Sequence, residues 1–353
     1  MIIYIAVRYR IFELINFVSN NFIMIITKFV YVLVSSSSDI YLEQAYISMF
    51  SLKYFMPDAI IVLLTDSATV KSFTGIREKE IQYADEIIAV DLDAGKLTAQ
   101  QRSRQLKTSV RNKIEGDFLF IDCDTIVVKP LYEVDTLDYD IAACRDTHTE
   151  LATNPYRDMH LYDGHQLGWP IDEEKDYFNT GIMFVKDSPL AHEYYRRWNE
   201  NLNSGYPKKV FMDQPSFAKT NYEMGHVVKH LPDIWNCELK HGIKYLKDAK
   251  IVHYLCTNTS KFQDKQLFLL NEKDCLLEVK RTGCINDEIK VVILDPFKGL
   301  ADVTHCFSGE DIFYFRTRTH EFFRSFFKMG KKTILEKLIL FGDKIKYKLQ
   351  AFK

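Results

Sequence analysis

The sequence predicts an α/β fold built on a central, mostly parallel sheet. Three short apolar runs, at residues 29–34, 60–64 and 86–90, alternate with segments whose apolar side chains recur at helical spacing, the pattern of βαβ units. A fourth run, Phe118 to Ile121, stops abruptly on two carboxylates two residues apart, Asp122 and Asp124. With 353 residues, 47% hydrophobic and 14% aromatic, the chain can supply the core of one large α/β domain or two ordinary ones.

The first strand ends at Ser35-Ser36-Ser37-Ser38-Asp39, a polar loop, and Leu42, Ala45, Tyr46, Met49 and Phe50 then mark a helix. Pro57-Asp58 separates that helix from the second strand, which ends at Thr65-Asp66. A helix from about residue 99 to 114 carries Arg102, Arg104, Lys107, Arg111 and Lys113. Most of these cations are expected on a solvated surface, although Arg104 and Lys107 lie one turn apart and share a face suited to a diphosphate. After the turn-like Glu115-Gly116-Asp117 comes the fourth strand, buried on both faces, and Val127-Val128 resume the apolar character. Further strands are expected at 141–144, ending at Arg145-Asp146, at 180–185, entered through Tyr177-Phe178-Asn179, and at 249–254, delivering His253. Helices are expected around 191–202 and 214–220. Residues 261–315 carry no motif with assignable chemistry and read as an appended mixed segment.

Ligands of such sheets sit beyond the carboxyl ends of the strands. Both the serine loop and the Asp122/Asp124 pair fall there. From the residues alone two readings stay open. The pair holds Mn2+ or Mg2+ against a diphosphate, because residues i and i+2 at a strand end can converge on one hard cation, or it marks a polar turn. His253 is likewise a metal ligand or a hydrogen-bonded histidine. Trp169, Trp198 and Trp235 are expected in the core, with Trp169, in Gly168-Trp169-Pro170, alternatively a platform for an acceptor.

From about residue 29 to 261, roughly two thirds of the sequence, a series of motifs follows in order. It comprises the opening strand with Ser36, Ser38 and Tyr41, the segment Ser103-Arg104-Gln105-Leu106-Lys107-Thr108, Asp122-Cys123-Asp124, Asp146, Phe178-Asn179-Thr180-Gly181, Asp213-Gln214 and His253. In this order they resemble the GT-A glycosyltransferases, most closely family 8. That resemblance implies a Rossmann-like nucleotide-diphospho-sugar transferase fold and retaining transfer of a sugar from a nucleotide diphosphate, usually UDP. It implies Mn2+ or Mg2+ on Asp122, Asp124 and His253, and donor contacts from Ser36, Ser38, Tyr41, Arg104, Lys107, Asp122 and Cys123. Asp213 and Gln214 would face the donor sugar as nucleophile or charge stabiliser, with Asp146 and Asn179 contacting its hydroxyls; read without the resemblance, the last two are a turn aspartate and a strand-entry asparagine. The chain departs from the family's His-x-x-Gly-x-x-Lys segment, placing Cys256 and Thr259 at the glycine and lysine positions and Lys261 two residues late.

Seven cysteines, odd in number, dispersed and without a C-x-x-C pair, indicate neither a disulfide framework nor a structural zinc site, so a reducing cytosol is expected. Residues 14–27 form the longest uncharged run near the start but hold Asn16, Asn20 and Asn21, too short and polar to span a bilayer, and no signal-peptidase site follows. Met24 is the expected natural start. The net charge of −2 is uneven: residues 316–353 hold eleven Lys or Arg against three acids, 11 − 3 = +8, leaving −10 elsewhere. Ile334, Leu338, Phe341, Ile345, Leu349 and Phe352 fall on one helical face, which suits either an anionic membrane surface or packing on the chain's own domain.

The expected division is an extension at 1–28, a catalytic domain at 29–260, the appended segment at 261–315 and a basic tail at 316–353. The expected function is metal-dependent hexosyl transfer from a UDP-sugar to a glycan or glycolipid acceptor in cell-envelope polysaccharide or lipopolysaccharide synthesis, on the cytoplasmic side and peripheral to the membrane, with no nucleic-acid partner. Two competitors are a sugar-1-phosphate nucleotidyltransferase, whose glycine-rich basic loop Ser35 to Asp39 does not provide, and a non-catalytic scaffold that binds nucleotide sugar.

Overall fold

In a computed structural model, which describes residues 25–241, 243–255 and 268–300, strands β1 (Lys28–Leu33), β2 (Ile61–Asp66), β3 (Glu86–Val90) and β4 (Phe118–Ile121) run parallel. They continue into β6 (Ile141–Arg145), β7 (Phe178–Val185) and β8 (Lys229–His230), in the spatial order β3-β2-β1-β4-β7-β6-β8. Only β7 runs antiparallel to its neighbours β4 and β6. A second, three-stranded sheet orders β5 (Thr125–Val127), β10 (Ile251–His253) and β9 (Cys237–Glu238) as β5-β10-β9.

The helices in chain order are α1 (Tyr41–Phe55), α2 (Ser67–Val70), α3 (Ile76–Glu80), α4 (Ala99–Ser109), α5 (Arg157–Leu167), α6 (Pro189–Gly205), α7 (Asp213–Glu223), α8 (Lys273–Thr282) and α9 (Asp287–Leu294). They cover both faces of the inner part of the large sheet, which is why β1, β2 and β4 read as continuous apolar runs, whereas the edge strands β3 and β8 are largely exposed. Alternation along each strand sends Phe29, Tyr31, Leu33, Leu119 and Ile121 to one side, where they join Leu42, Met49 and Leu52 of α1. Val30, Val32, Phe118 and Phe120 go to the other side, onto Leu106 of α4, Tyr194, Tyr195 and Trp198 of α6 and Phe217 of α7.

Two expectations are corrected here. The helix expected to reach residue 114 ends at Ser109 and tightens into a 3-10 turn over Val110–Asn112. The buried Arg111 turns back to donate to the carbonyls of Gly116, at 2.9 Å, and Ile114, stabilising the bend that Gly116 makes with φ +79°. The described part of the appended segment is no appendage. Phe268, Leu270, Leu276, Val279, Ile289, Val292 and Ile293 share the core that α1 and the sheet form. Trp169, Trp198 and Trp235 are all buried, as expected of core residues, and Trp169 packs against Tyr222 instead of standing open as a platform. Met24, the segment with Cys256, Thr259 and Lys261, and the basic tail lie outside the described residues.

Because α8 shares this core, Leu276→Ala is expected to destabilise the whole domain by about 2–5 kcal/mol. Urea unfolding followed by both near- and far-ultraviolet circular dichroism checks it: a single transition moved to lower denaturant is expected, and an unmoved main transition would make α8 and α9 a separate unit.

Candidate active site

Strand register assembles the site. Asp122 N donates to Gly181 O at 2.8 Å, extending the β4–β7 pairing by one residue before the chain turns into β5. Antiparallel β10 then sets His253 opposite Thr125, and Tyr254 N donates to Asp124 O at 3.2 Å. Across 129 positions of sequence, His253 Nε2 thereby comes 3.2 Å from Asp124 Oδ1. One ligand atom each of Asp122, Asp124 and His253 lie within 4.8 Å of one another. Groups sharing an ion at about 2.1 Å stand roughly 3–4 Å apart, so the spread is within about 1 Å of what coordination needs. The donor set of two carboxylates and an imidazole fits Mn2+ or Mg2+, with the carboxylates 30% and 21% exposed and the imidazole 4% exposed. Burial disfavours a charged His253, but the Asp124 and Asp122 carboxylates outweigh it and raise the imidazole above its ordinary value.

Beside this cluster, Lys107 Nζ stands 3.1 Å from both Asp122 Oδ1 and Asp213 Oδ2, over the Phe120 ring. Asp213 also accepts from Thr180 Oγ1 at 2.8 Å, and Arg104 Nε lies 2.8 Å from its other oxygen, an ion pair without the angle of a directed hydrogen bond. Burial works to neutralise Asp213, but Lys107, Arg104 and the Thr180 hydroxyl prevail and hold its carboxyl well below the usual range. For Asp122 burial wins over Lys107 and, with the charge of Asp124, raises its carboxyl. Of the cations expected on a solvated surface only Lys113 is exposed: Arg111, in the turn after α4, is buried and Arg102 of α4 pairs with Asp66 at 2.5 Å. Helical spacing shows which residues share a face but not that acids wait opposite.

Asp146, Asn179 and Gln214 also converge. Gln214 Nε2 donates to Asp146 Oδ1 at 2.8 Å and Asn179 Nδ2 lies 3.4 Å from the same oxygen. Asp146 Oδ2 accepts from Asn154 Nδ2 at 2.9 Å and faces His160 Nε2 at 3.1 Å. Burial would raise Asp146, yet His160, Asn154 and Gln214 together hold it below its ordinary value. Next to it Thr147 and His148 adopt left-handed backbone, φ 54° and 57°, with Thr147 N donating to the buried Glu238. Sequence reasoning missed Asn154, His160, Asn236 and Glu238, for which it offered no periodic or motif signal.

Residues 113–291, half of the chain, match the family model of the nucleotide-diphospho-sugar transferases. The chain belongs to this family. The transferase is a glycosyltransferase with the GT-A fold: a mixed, mostly parallel sheet flanked by helices. Among solved structures it is similar to apo mouse xyloside xylosyltransferase 1, with 16% identity over 66% of this chain and 99% of that one, TM-score 0.44. It is also similar to the galactosyltransferase LgtC in complex with donor and acceptor sugar analogues, with 13% identity over 75% and 99%, TM-score 0.48. The glycosyltransferase GlyE of Streptococcus pneumoniae TIGR4 gives 17% identity over 77% and 64%, TM-score 0.46. No curated protein sequence matches this one.

In the transferase the serine loop leaves β1 one strand away from the Asp122-Cys123-Asp124 turn, and Cys123 Sγ donates to Val32 O at 3.4 Å to tie the two together. Burial and the flanking carboxylates raise the Cys123 thiol well above its ordinary value, so it stays neutral. The Asp39 carboxylate shapes the loop, accepting from Ser35 Oγ at 2.6 Å, Ser36 N at 2.7 Å and Tyr41 N at 3.2 Å. Ser36 and Ser38 remain exposed, their hydroxyls 2.8 Å apart, and Tyr41 is exposed beside them.

Arg77 braces the loop from behind through Ser36 O and Ser35 Oγ, each at 3.1 Å, and Lys280 of α8 donates to Asp39 O. Under this brace lie Glu43 and Glu80, fully buried, their four carboxylate oxygens without hydrogen-bond partners among the described residues. Lys280 Nζ stands 3.6 Å from Glu43 Oε1. Burial first, and the Glu43 charge second, push the Glu80 carboxyl up to about 8. A raised folded value means that Glu80 contributes fully below the ordinary carboxylate range and that this contribution is lost as pH rises through about 8. Glu80→Gln is therefore expected to stabilise the transferase by about 1–2 kcal/mol at pH 8 and by little at pH 4.5. Melting curves at the two pH values check this, and an equal effect at both would contradict it.

Proposed function

We propose that the transferase moves a hexose from a UDP-sugar to a glycan or glycolipid acceptor of the cell envelope, with retention and with Mn2+ or Mg2+ held by Asp122, Asp124 and His253, in the manner of family 8. The observation that carries this reading is the cluster of those three side chains against the Lys107–Asp213 pair. When bound, the ion supplies positive charge against the departing diphosphate. Lys107 and Arg104 hold fixed positive charge on the same side, already oriented by Asp213 and therefore without reorganisation as charge develops.

Asp213, paired with two cations and a hydroxyl, is suited to anchoring them and poorly suited to attack on a sugar. Gln214 is half-buried, and donating through Nε2 to Asp146 leaves its Oε1 to face the electron-poor anomeric carbon. This supports charge stabilisation over a covalent aspartyl intermediate. Asp146 and Asn179 present fixed acceptors and donors of the kind that discriminate hydroxyl orientation. Ser36, Ser38 and Tyr41, exposed on a rigid loop, are assigned to the nucleoside.

With a panel of nucleotide sugars and Mn2+, the wild-type chain is expected to release UDP, and Asp124→Ala to lower that release on the order of 100-fold or more. Equal background in both proteins would sink the catalytic reading; activity that depends on pyrophosphate would assign a nucleotidyltransferase instead. The basic tail motivates the peripheral membrane part of the proposal, and no helix among the described residues is long and apolar enough to cross a membrane. Deleting everything beyond Phe315 is expected to abolish binding to vesicles rich in anionic lipid; unchanged sedimentation with the vesicles would remove that part.

A further inference from the structure

We infer that Asn236 is a positioning residue that fixes the tautomer of His253, through a carboxamide relay whose polarity is set by one backbone N–H. The inference rests on the metal-site reading above and concerns how the imidazole is made ready. Gly181 N lies 2.7 Å from Asn179 Oδ1. A backbone N–H can only donate, so the atom of the Asn179 carboxamide facing it must be the oxygen. Asn236 approaches that same oxygen at 3.1 Å and must present its own NH2 to it. Its remaining atom, Oδ1, is then turned to His253 Nδ1 at 3.1 Å. An amide oxygen can only accept, so Nδ1 must carry a hydrogen. In the neutral imidazole this leaves Nε2, the atom 3.2 Å from Asp124, with the lone pair.

Among the described residues nothing gives the Asn236 side chain another orientation. It is completely buried, and Asn179 is nearly so, with its NH2 directed at Asp146. Gly181 permits the packing: a Cβ there would lie 2.5 Å from His253 Cε1 and 2.8 Å from Asn179 Oδ1. Gly181 also accepts from Asp122 N through its carbonyl, so one residue orients the imidazole through its N–H and holds a carboxylate ligand's backbone through its C=O. The relay further joins the metal cluster to Asp146, because the two ends of the Asn179 carboxamide serve one site each.

The test uses the full chain with 15N-labelled histidine, metal-free and at a pH high enough to deprotonate the imidazole, the His253 signals being assigned by their loss in His253→Gln. The wild-type spectrum is expected to show hydrogen on Nδ1. Hydrogen on Nε2 would overturn the proposal, and this readout needs no variant that must fold. In Asn236→Leu the His253 signals are expected to move toward a mixture of tautomers. Mn2+ affinity, read from the electron paramagnetic resonance of the free ion, is expected to fall ten- to a hundredfold in that variant. Wild-type affinity in Asn236→Leu would overturn the proposal. A wild-type chain that binds no Mn2+ yet carries hydrogen on Nδ1 would count against the metal reading while supporting the relay.

Discussion

The ammonium group of Lys107 is the constraint on which the site depends. It lies almost wholly buried, 3.1 Å from a carboxylate at the end of β4 and 3.1 Å from another at the start of α7, so a single charge fixes the distance between the metal cluster and the sugar-facing residues. Truncating one member of such a buried set costs roughly 3–5 kcal/mol, because the remaining charges are left uncompensated. Two acids and one ammonium do not balance. Arg104 pairs with Asp213, and with Asp124 counted three carboxylates stand against two fixed cations, the metal-binding form of His253 being neutral; a divalent ion would supply the missing positive charge. The cluster is thus built around an excess of negative charge facing solvent, a favourable starting point for a cation and, through it, for a diphosphate.

Strand register does the remaining positioning. Asp122 is held by its pairing with Gly181, and His253 by the pairing of β10 with β5. A slip of one residue in β10 would turn His253 to the opposite face and leave Val252 against the carboxylates. The core on either side of β10, with Ile251 and Val252 fully buried, opposes that slip. Packing far from the ligands therefore sets ligand geometry, and that includes α8 and α9, which share the same core.

Much of this was legible from sequence where the signal is local. The strand expected at 86–90 coincides with β3, and β1, β2, β4, β6 and β7 begin within two residues of expectation, because strands of such a sheet are short apolar runs bounded by polar turns. The candidate ligands were legible as motifs in order. What was not legible depends on partners distant in sequence. Arg102 of α4 read as solvated since its acid arrives from β2, and the acids that pair with Arg104 and Lys107, from β4 and α7, left no local signal. Asn236 sits in an irregular stretch after Trp235, and its role appears only once Gly181 and His253 are brought together by register. The segment at 268–300 carries no motif, and apolar spacing alone does not say which core it joins.

The same logic accounts for unfavourable features gathered around Asp146. Thr147 and His148 hold left-handed backbone, which costs of order 1–3 kcal/mol at each position for residues with a Cβ. Glu238 is buried against Thr147 N, and burial together with the nearby Asp146 charge raises its carboxyl well above the usual range, which favours the neutral acid. Asp146, the residue before Thr147, is held below its ordinary value by His160, Asn154 and Gln214. Their surroundings thereby push the two carboxyls in opposite directions, one favouring the charged form and one the neutral form. A relaxed turn would not hold the Asp146 carboxylate against Gln214 and Asn179 in this arrangement. The free energy lost to strain and burial here is offset by a sheet packed on both faces, and it yields a fixed polar surface beside the metal cluster.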